Sequence, residues 1–170
     1  MTFLVRPTPA PEPKTTNVRV LSIALAAVFV ILAVAQLYSY EDFPQVVAGF
    51  WLPGGQVTAH IVAALLVVGE VAAVPFLLSM RLSPAMRWVS MVSGWLVIVG
   101  WLLISLWVNA SMDPVGNAGV LGATIPTPAG WWIVSIFAAL GVLAGWASWG
   151  MWPYRSVAHV DKQAVTNKVT

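Results

Sequence analysis

Residues 57–80 read VTAHIVAALLVVGEVAAVPFLLSM, and this stretch decides the fold. It contains no Lys, Arg or Asp and a single Glu, Glu70, inside a run long enough to cross a hydrocarbon core, which takes about 20 helical residues. Working outward, three more stretches have the same character: residues 18–38, apolar apart from Arg19, Ser22 and Gln36, then residues 88–108 and residues 131–152. The 170-residue chain is 59% hydrophobic and 8% charged, whereas a soluble domain is about 45–50% apolar and about 25% charged. Such a chain cannot cover its surface with polar groups. The fold class expected is an all-α membrane protein, a four-transmembrane-helix bundle occupying residues 18–152, with tails at residues 1–17 and 153–170.

Short cytoplasmic loops accumulate Lys and Arg, and the eight basic residues here fall on one side. Arg6, Lys14 and Arg19 lie at the start of the first span, Arg81 and Arg87 lie between the second and third, and Arg155, Lys162 and Lys168 follow the fourth. The opposite loops, residues 39–56 and 109–130, hold only Glu41, Asp42 and Asp113 as charges. This predicts a multi-pass protein of a bacterial inner membrane with both termini cytoplasmic. Residues 1–17, with four prolines, read as a flexible tail. Ala33-Val34-Ala35 resembles a signal-peptide cleavage site, but the preceding apolar run is long for a signal core, so it is read as a span. In the first outer loop, Phe43, Val46, Val47, Phe50 and Trp51 recur at helical spacing. Asp42 is placed to cap that run and Pro53-Gly54-Gly55 to stop it. This predicts a short interfacial helix with its apolar face in the headgroup layer. The second outer loop, rich in Gly, Pro and Asn, predicts an irregular excursion. Its Asn109-Ala110-Ser111 matches a glycosylation sequon by pattern alone.

Glu70 lies roughly 15 Å along the helix from Arg81, near the bilayer centre. An isolated carboxylate is strongly disfavoured there, so Glu70 is expected to be protonated, paired or facing a polar cavity. Ala59, Ala63 and Ala73 share its face and would let another helix cover it. Pro75 frees the Val71 carbonyl and predicts a kink. His60 sits near the outer boundary, level with Gln36 and Tyr38 and rotated away from Glu70. Glu70, His60 and Gln36 are the candidate intramembrane polar residues; Glu70 is open to proton transfer, cation binding, quinone or substrate contact, or a purely structural hydrogen bond, and His60 reads as an interfacial hydrogen-bonding residue. Intrinsic haem ligation would need a second intramembrane histidine, and the other histidine, His159, is in the tail. Of ten tryptophans, Trp51, Trp107, Trp131, Trp132 and Trp152 fall where helices meet headgroups. Trp95, Trp101, Trp146 and Trp149 lie deeper, as packing residues or the lining of a lipid or quinone site. Gly141 and Gly145, a G-x-x-x-G step continued by Ser148, predict a close helix contact. With no cysteine, no phosphate-binding loop and no metal-ligand or nucleophile signature, the sequence offers no catalytic site, no metal site and no cofactor requirement, and the scattered basic residues offer no nucleic-acid surface.

Residues 33–107 resemble the DoxX/MauE-like group of small four-helix membrane proteins. The resemblance rests on Ala33-Val34-Ala35-Gln36-Leu37, on Tyr40-Glu41-Asp42-Phe43-Pro44, and on Glu70-Val71-Ala72-Ala73-Val74-Pro75-Phe76-Leu77-Leu78. A Gly-x-x-Lys-Leu type element at the end of the first span is replaced here by a cation-free segment. The resemblance implies a compact four-helix bundle and a non-catalytic accessory or assembly subunit of a membrane redox or respiratory system. Glu70 would then sit in a lipid- or quinone-accessible pocket. Two other functions remain open, a small proton- or cation-coupled transporter using Glu70 and a quinone-interacting oxidoreductase subunit. The partners expected are the lipid bilayer, a larger redox complex or further copies of the chain, and a quinone or lipid.

Overall fold

A computed structural model describes residues 13–111 and 115–152; residues 1–12, 112–114 and 153–170, with Asp113 and most of both expected tails, lie outside it. The four spans are α1 (Thr16–Tyr38), α3 (Gly55–Leu77), α4 (Pro84–Ser111) and α5 (Trp131–Gly150), with a short α2 (Phe43–Ala48) between the first two. At 20 to 28 residues each, the spans are about 30–42 Å long, enough to cross a bilayer. The described residues form an all-helical, four-helix membrane bundle. Its helices form a ring in which α1 touches α3, α3 touches α4, α4 touches α5, and α5 returns to α1. Only 33% to 39% of each span's most apolar window is buried within the protein. Much of the remainder is aliphatic, including Leu65, Leu96 and Val142, and suits contact with lipid tails.

The helix ends depart from the sequence reading for local reasons. Thr15 caps α1, its hydroxyl accepting from the Val18 N–H at 3.3 Å, so the helix starts two residues early. Ser83 does the same for Met86 at 3.2 Å with Pro84 in the first turn, so α4 takes in Arg87, which the sequence placed in a loop. Arg87 is buried, and its guanidinium donates to the Leu82 carbonyl. α3 ends at Leu77 rather than Met80. Ser79 adopts a left-handed φ of 54°, Met80 N–H donates to Pro75 O and Ser79 N–H to Phe76 O, a Schellman closure built without glycine.

The short helix is present but its apolar side faces the protein. Phe43, Val47 and Phe50 are wholly buried in the core, and α2 packs on α3, while Trp51 is 80% exposed. Asp42 makes no side-chain cap; Pro44 in the first turn sets the start and Gly49 the end. Pro75 is accommodated by Ser90 of α4, whose hydroxyl accepts from the Phe76 N–H at 3.0 Å and donates to the Ala72 carbonyl. These are two groups an uninterrupted helix would pair with each other.

Helices α3 and α4 approach each other closely. A methyl at Gly94 would lie 3.2 Å from the Ala73 Cβ and 3.6 Å from the Phe29 ring, and one at Gly69 would collide with Val97. Gly141 and Gly145 face Ile98 and Trp95 of α4 at ordinary contact distances of 3.6 and 3.7 Å. They have room for a methyl. We therefore expect Gly94→Leu to destabilise the bundle in detergent by about 1–3 kcal/mol through overpacking. Gly145→Ala should be neutral or gain up to about 1 kcal/mol from helix propensity. Thermal melts of the two variants check both.

Candidate functional site

Side chains on a helix lean towards its N-terminus, so residues on antiparallel neighbours lean towards each other. Gln36, in the last turn of α1, leans down the bundle, and Glu70 of α3 leans up, which brings together two residues that the linear sequence puts at different depths. Gln36 Nε2 donates to Glu70 Oε1 at 3.0 Å. Trp101 Nε1, from α4, donates to the same oxygen at 3.2 Å. Gln36 Nε2 also donates to the Val120 carbonyl at 3.2 Å. That carbonyl belongs to the irregular second loop, which folds down onto the bundle. Glu70 and Gln36 are at 0% exposure and Trp101 at 1%. Because both groups facing Nε2 are acceptors, the orientation of the Gln36 amide is fixed. Trp101 is held in turn by Phe137 of α5, stacked at 5.7 Å between ring centroids.

Two atoms of this cluster, Glu70 Oε2 and Gln36 Oε1, are buried with no hydrogen-bond partner. They belong to the two groups joined by the Gln36–Glu70 bond.

The loop is organised as a unit. Asn117 Oδ1 accepts from the Gly119 N–H at 2.9 Å and the Thr127 N–H at 3.2 Å, and Ala118 N–H donates to the Thr127 carbonyl at 2.6 Å. Besides the Gln36 bond, it is tied to α1 by Ala123 N–H donating to Ser39 Oγ at 2.8 Å. Gly122 lies so close to the Ala35 carbonyl that a side chain could not fit.

Other expected site residues lie elsewhere. His60 is exposed, its Nδ1 2.8 Å from the Gln56 carbonyl, and it lines an open surface pocket with Pro44, Gln45, Ala48 and Gln56. It takes no part in the Glu70 cluster. Ala59 and Ala63 are fully buried on the Glu70 side of α3. The expectation that Glu70 opens onto lipid is corrected: the lipid-facing groove between α3 and α4, about 540 Å³, is lined by Val62, Leu66, Gly69, Leu96, Val97 and Gly100. Glu70 points the other way, into the ring. The groove could take a hydrocarbon tail but offers little polar chemistry to grip a headgroup. Among the described residues, no three His, Asp or Glu side chains gather as a metal site would require. Trp101 and the Val120 carbonyl were missed by sequence reasoning. For Trp101 the available signal was an indole N–H at membrane depth, which needs an acceptor.

Removing one partner from a buried polar cluster costs about 1–3 kcal/mol, because what remains is left unpaired. Trp101→Phe should keep the stack on Phe137 and lose one donor to Glu70. Gln36→Leu should cost more, since it also releases Val120. The pair should be non-additive by about 0.5–3 kcal/mol, as for residues in one network. Unfolding of the single and double variants in detergent measures this.

No family model, no curated protein and no solved structure matches the chain.

Proposed function

We propose that this chain is a non-catalytic accessory or assembly subunit of a membrane redox system, lying in a bacterial inner membrane with both termini in the cytoplasm. The observation that supports a non-catalytic role is the disposition of Glu70. The single acid within the spans is enclosed at 0% exposure and engaged by donors from two neighbouring helices. A turnover site needs access for a substrate; this acid ties helices together instead. The redox assignment rests on the DoxX/MauE-like resemblance of residues 33–107. The cytoplasmic termini rest on the one-sided placement of Lys and Arg. Lys14 fits that boundary, its ammonium 3.2 Å from the centre of the Trp149 ring, as does the edge-to-face pair Trp88 and Trp152. The aliphatic surface would be available to lipid, to a quinone tail or to the spans of a larger partner.

A second reading, a proton- or cation-coupled transporter, is favoured by the two partnerless acceptors beside each other in the cluster. The two readings predict different behaviour. In the accessory role, mild-detergent purification followed by mass spectrometry should recover larger redox proteins with the chain, and Glu70→Gln should still bring them down. In the transporter role, reconstituted vesicles should show a flux that Glu70→Gln abolishes. For orientation, cysteines introduced at Gln56 and Thr124 should react with an impermeant thiol reagent applied to intact cells, and one at Met80 should not. Labelling of Met80→Cys would reverse the topology.

A further inference from the structure

Glu70 Oε2 and Gln36 Oε1 are both acceptors when the acid is ionised, and each is buried without a partner. They sit on a carboxyl and a primary amide that already share one hydrogen bond, Gln36 Nε2 to Glu70 Oε1. A carboxylic acid and a primary amide have complementary edges: the amide N–H meets one carboxyl oxygen, and the acid O–H meets the amide oxygen. One proton on Oε2 would serve both orphaned atoms at once. In hydrocarbon, where water does not reach, leaving the two unpaired would be costly.

We propose that Glu70 and Gln36 form a proton-binding site, a closed acid–amide pair, and that the bound proton latches residues 115–130 onto the bundle. The coupling runs through Gln36, which has two N–H donors. With the proton in place, one goes to Glu70 Oε1 and the other to the Val120 carbonyl. When the proton leaves to the medium, Glu70 Oε2 and Gln36 Oε1 face each other as two acceptors. The amide relieves this by turning its second N–H onto the carboxylate, and Val120 loses its donor. The loop then keeps one hydrogen bond to α1, from Ala123 to Ser39. Because its own turns are closed by Asn117 and Thr127, it lifts as a unit, exposing Ala118 and the small cavity that Ala118 and Ala129 roof over Ser105 and Ile133.

The groups facing Glu70 are uncharged: Gln36 from α1, Trp101 from α4 and, through Gln36, the Val120 carbonyl. On α3 itself the other titratable side chain is His60, exposed about 15 Å away. Arg19 and Arg87 lie at the far end of the bundle, in the first turns of α1 and α4. Glu41 and Asp42 are exposed on the first loop. Asp113 lies outside the described residues and enters the test as a control. The proposal stands on the geometry of the cluster and does not depend on the accessory-subunit reading.

Infrared spectra of the full chain in lipid at neutral pH should contain a carboxylic-acid carbonyl band that is absent from Glu70→Gln. A band unchanged by that substitution, or no such band at all, overturns the pair. The latch is read from an impermeant thiol reagent on Ala118→Cys, with the exposed Gln56→Cys as reference for the pH dependence of the reagent. As the medium is made alkaline and the acid band disappears, labelling at Ala118 relative to Gln56 should rise several-fold. Glu70→Gln restores the paired edges with an amide, so it should hold labelling low at every pH. Flat labelling across the loss of the band overturns the latch, as does a band that persists at every pH the folded protein survives. A rise that Asp113→Asn abolishes and Glu70→Gln leaves intact assigns the response to Asp113 and overturns it equally. Gln36→Leu, which removes the connecting amide, should label readily at all pH values; should it fail to fold, the Glu70→Gln comparison still decides.

Discussion

A carboxyl group sunk in hydrocarbon has to find every partner within the protein, and the way Glu70 does so organises this bundle. One of its oxygens collects donors from α1 and α4, and the α1 donor reaches on to a loop carbonyl. Three helices and the connection between α4 and α5 therefore meet at one side chain. The loop, which has no regular structure among its described residues 115–130, is tied down by this cluster and by Ser39, and Ala118, Val120 and Leu121 pack on the core. An Asp here would have one carbon fewer with which to reach two helices, and an apolar residue would leave Trp101 with an unpaired indole N–H at membrane depth.

The same demand explains features of the backbone that have little to do with Glu70. Pro75 cannot donate, and its ring disturbs the preceding turn of α3. Ser90 reaches across from α4 and engages both Phe76 N–H and Ala72 C=O. At the end of the same helix, Ser79 takes a left-handed conformation that glycine usually supplies, so that two carbonyls of the last turn are satisfied before the chain reverses. In water either site could have been left to solvent.

The spans were legible because a length of about 20 apolar residues is a one-dimensional property. Glu70 was legible for the same reason, as a lone exception within such a run. What the sequence could not supply was pairing. Gln36 and Glu70 lie at different nominal depths, and they meet because side chains on antiparallel helices lean towards one another. The Val120 carbonyl carries no side-chain signature, and Trp101 resembles any other packing aromatic until its neighbour is known. The apolar stripe of α2 was correctly periodic, but periodicity does not say whether such a face meets headgroups or protein. Burial of Phe43, Val47 and Phe50 is a tertiary fact. Gly141 and Gly145 illustrate the converse, a recognisable spacing whose glycines lie against side chains, while closer approaches fall at Gly69, Gly94 and Gly150, which form no such step.

Apolar surface alone cannot fix the register of these helices, because lipid tails are as apolar as leucine and the usual driving force for burial is missing. Each contact around the ring accordingly has a directional element. Between α1 and α3 it is the Gln36–Glu70 bond. Between α3 and α4 it is the Ser90 bridge, the Trp101–Glu70 bond and the close approach at Gly94. Trp95 donates to Ser148 at 3.2 Å between α4 and α5. Between α5 and α1, Lys14 N–H donates to the Gly150 carbonyl, with Gly150 pressed against Val18. Sliding any helix by one turn, about 5.4 Å, would break such a contact with no water at that depth to replace it. In this bundle the aliphatic residues make the protein soluble in lipid, and a handful of polar and glycine positions determine which arrangement of the helices is the native one.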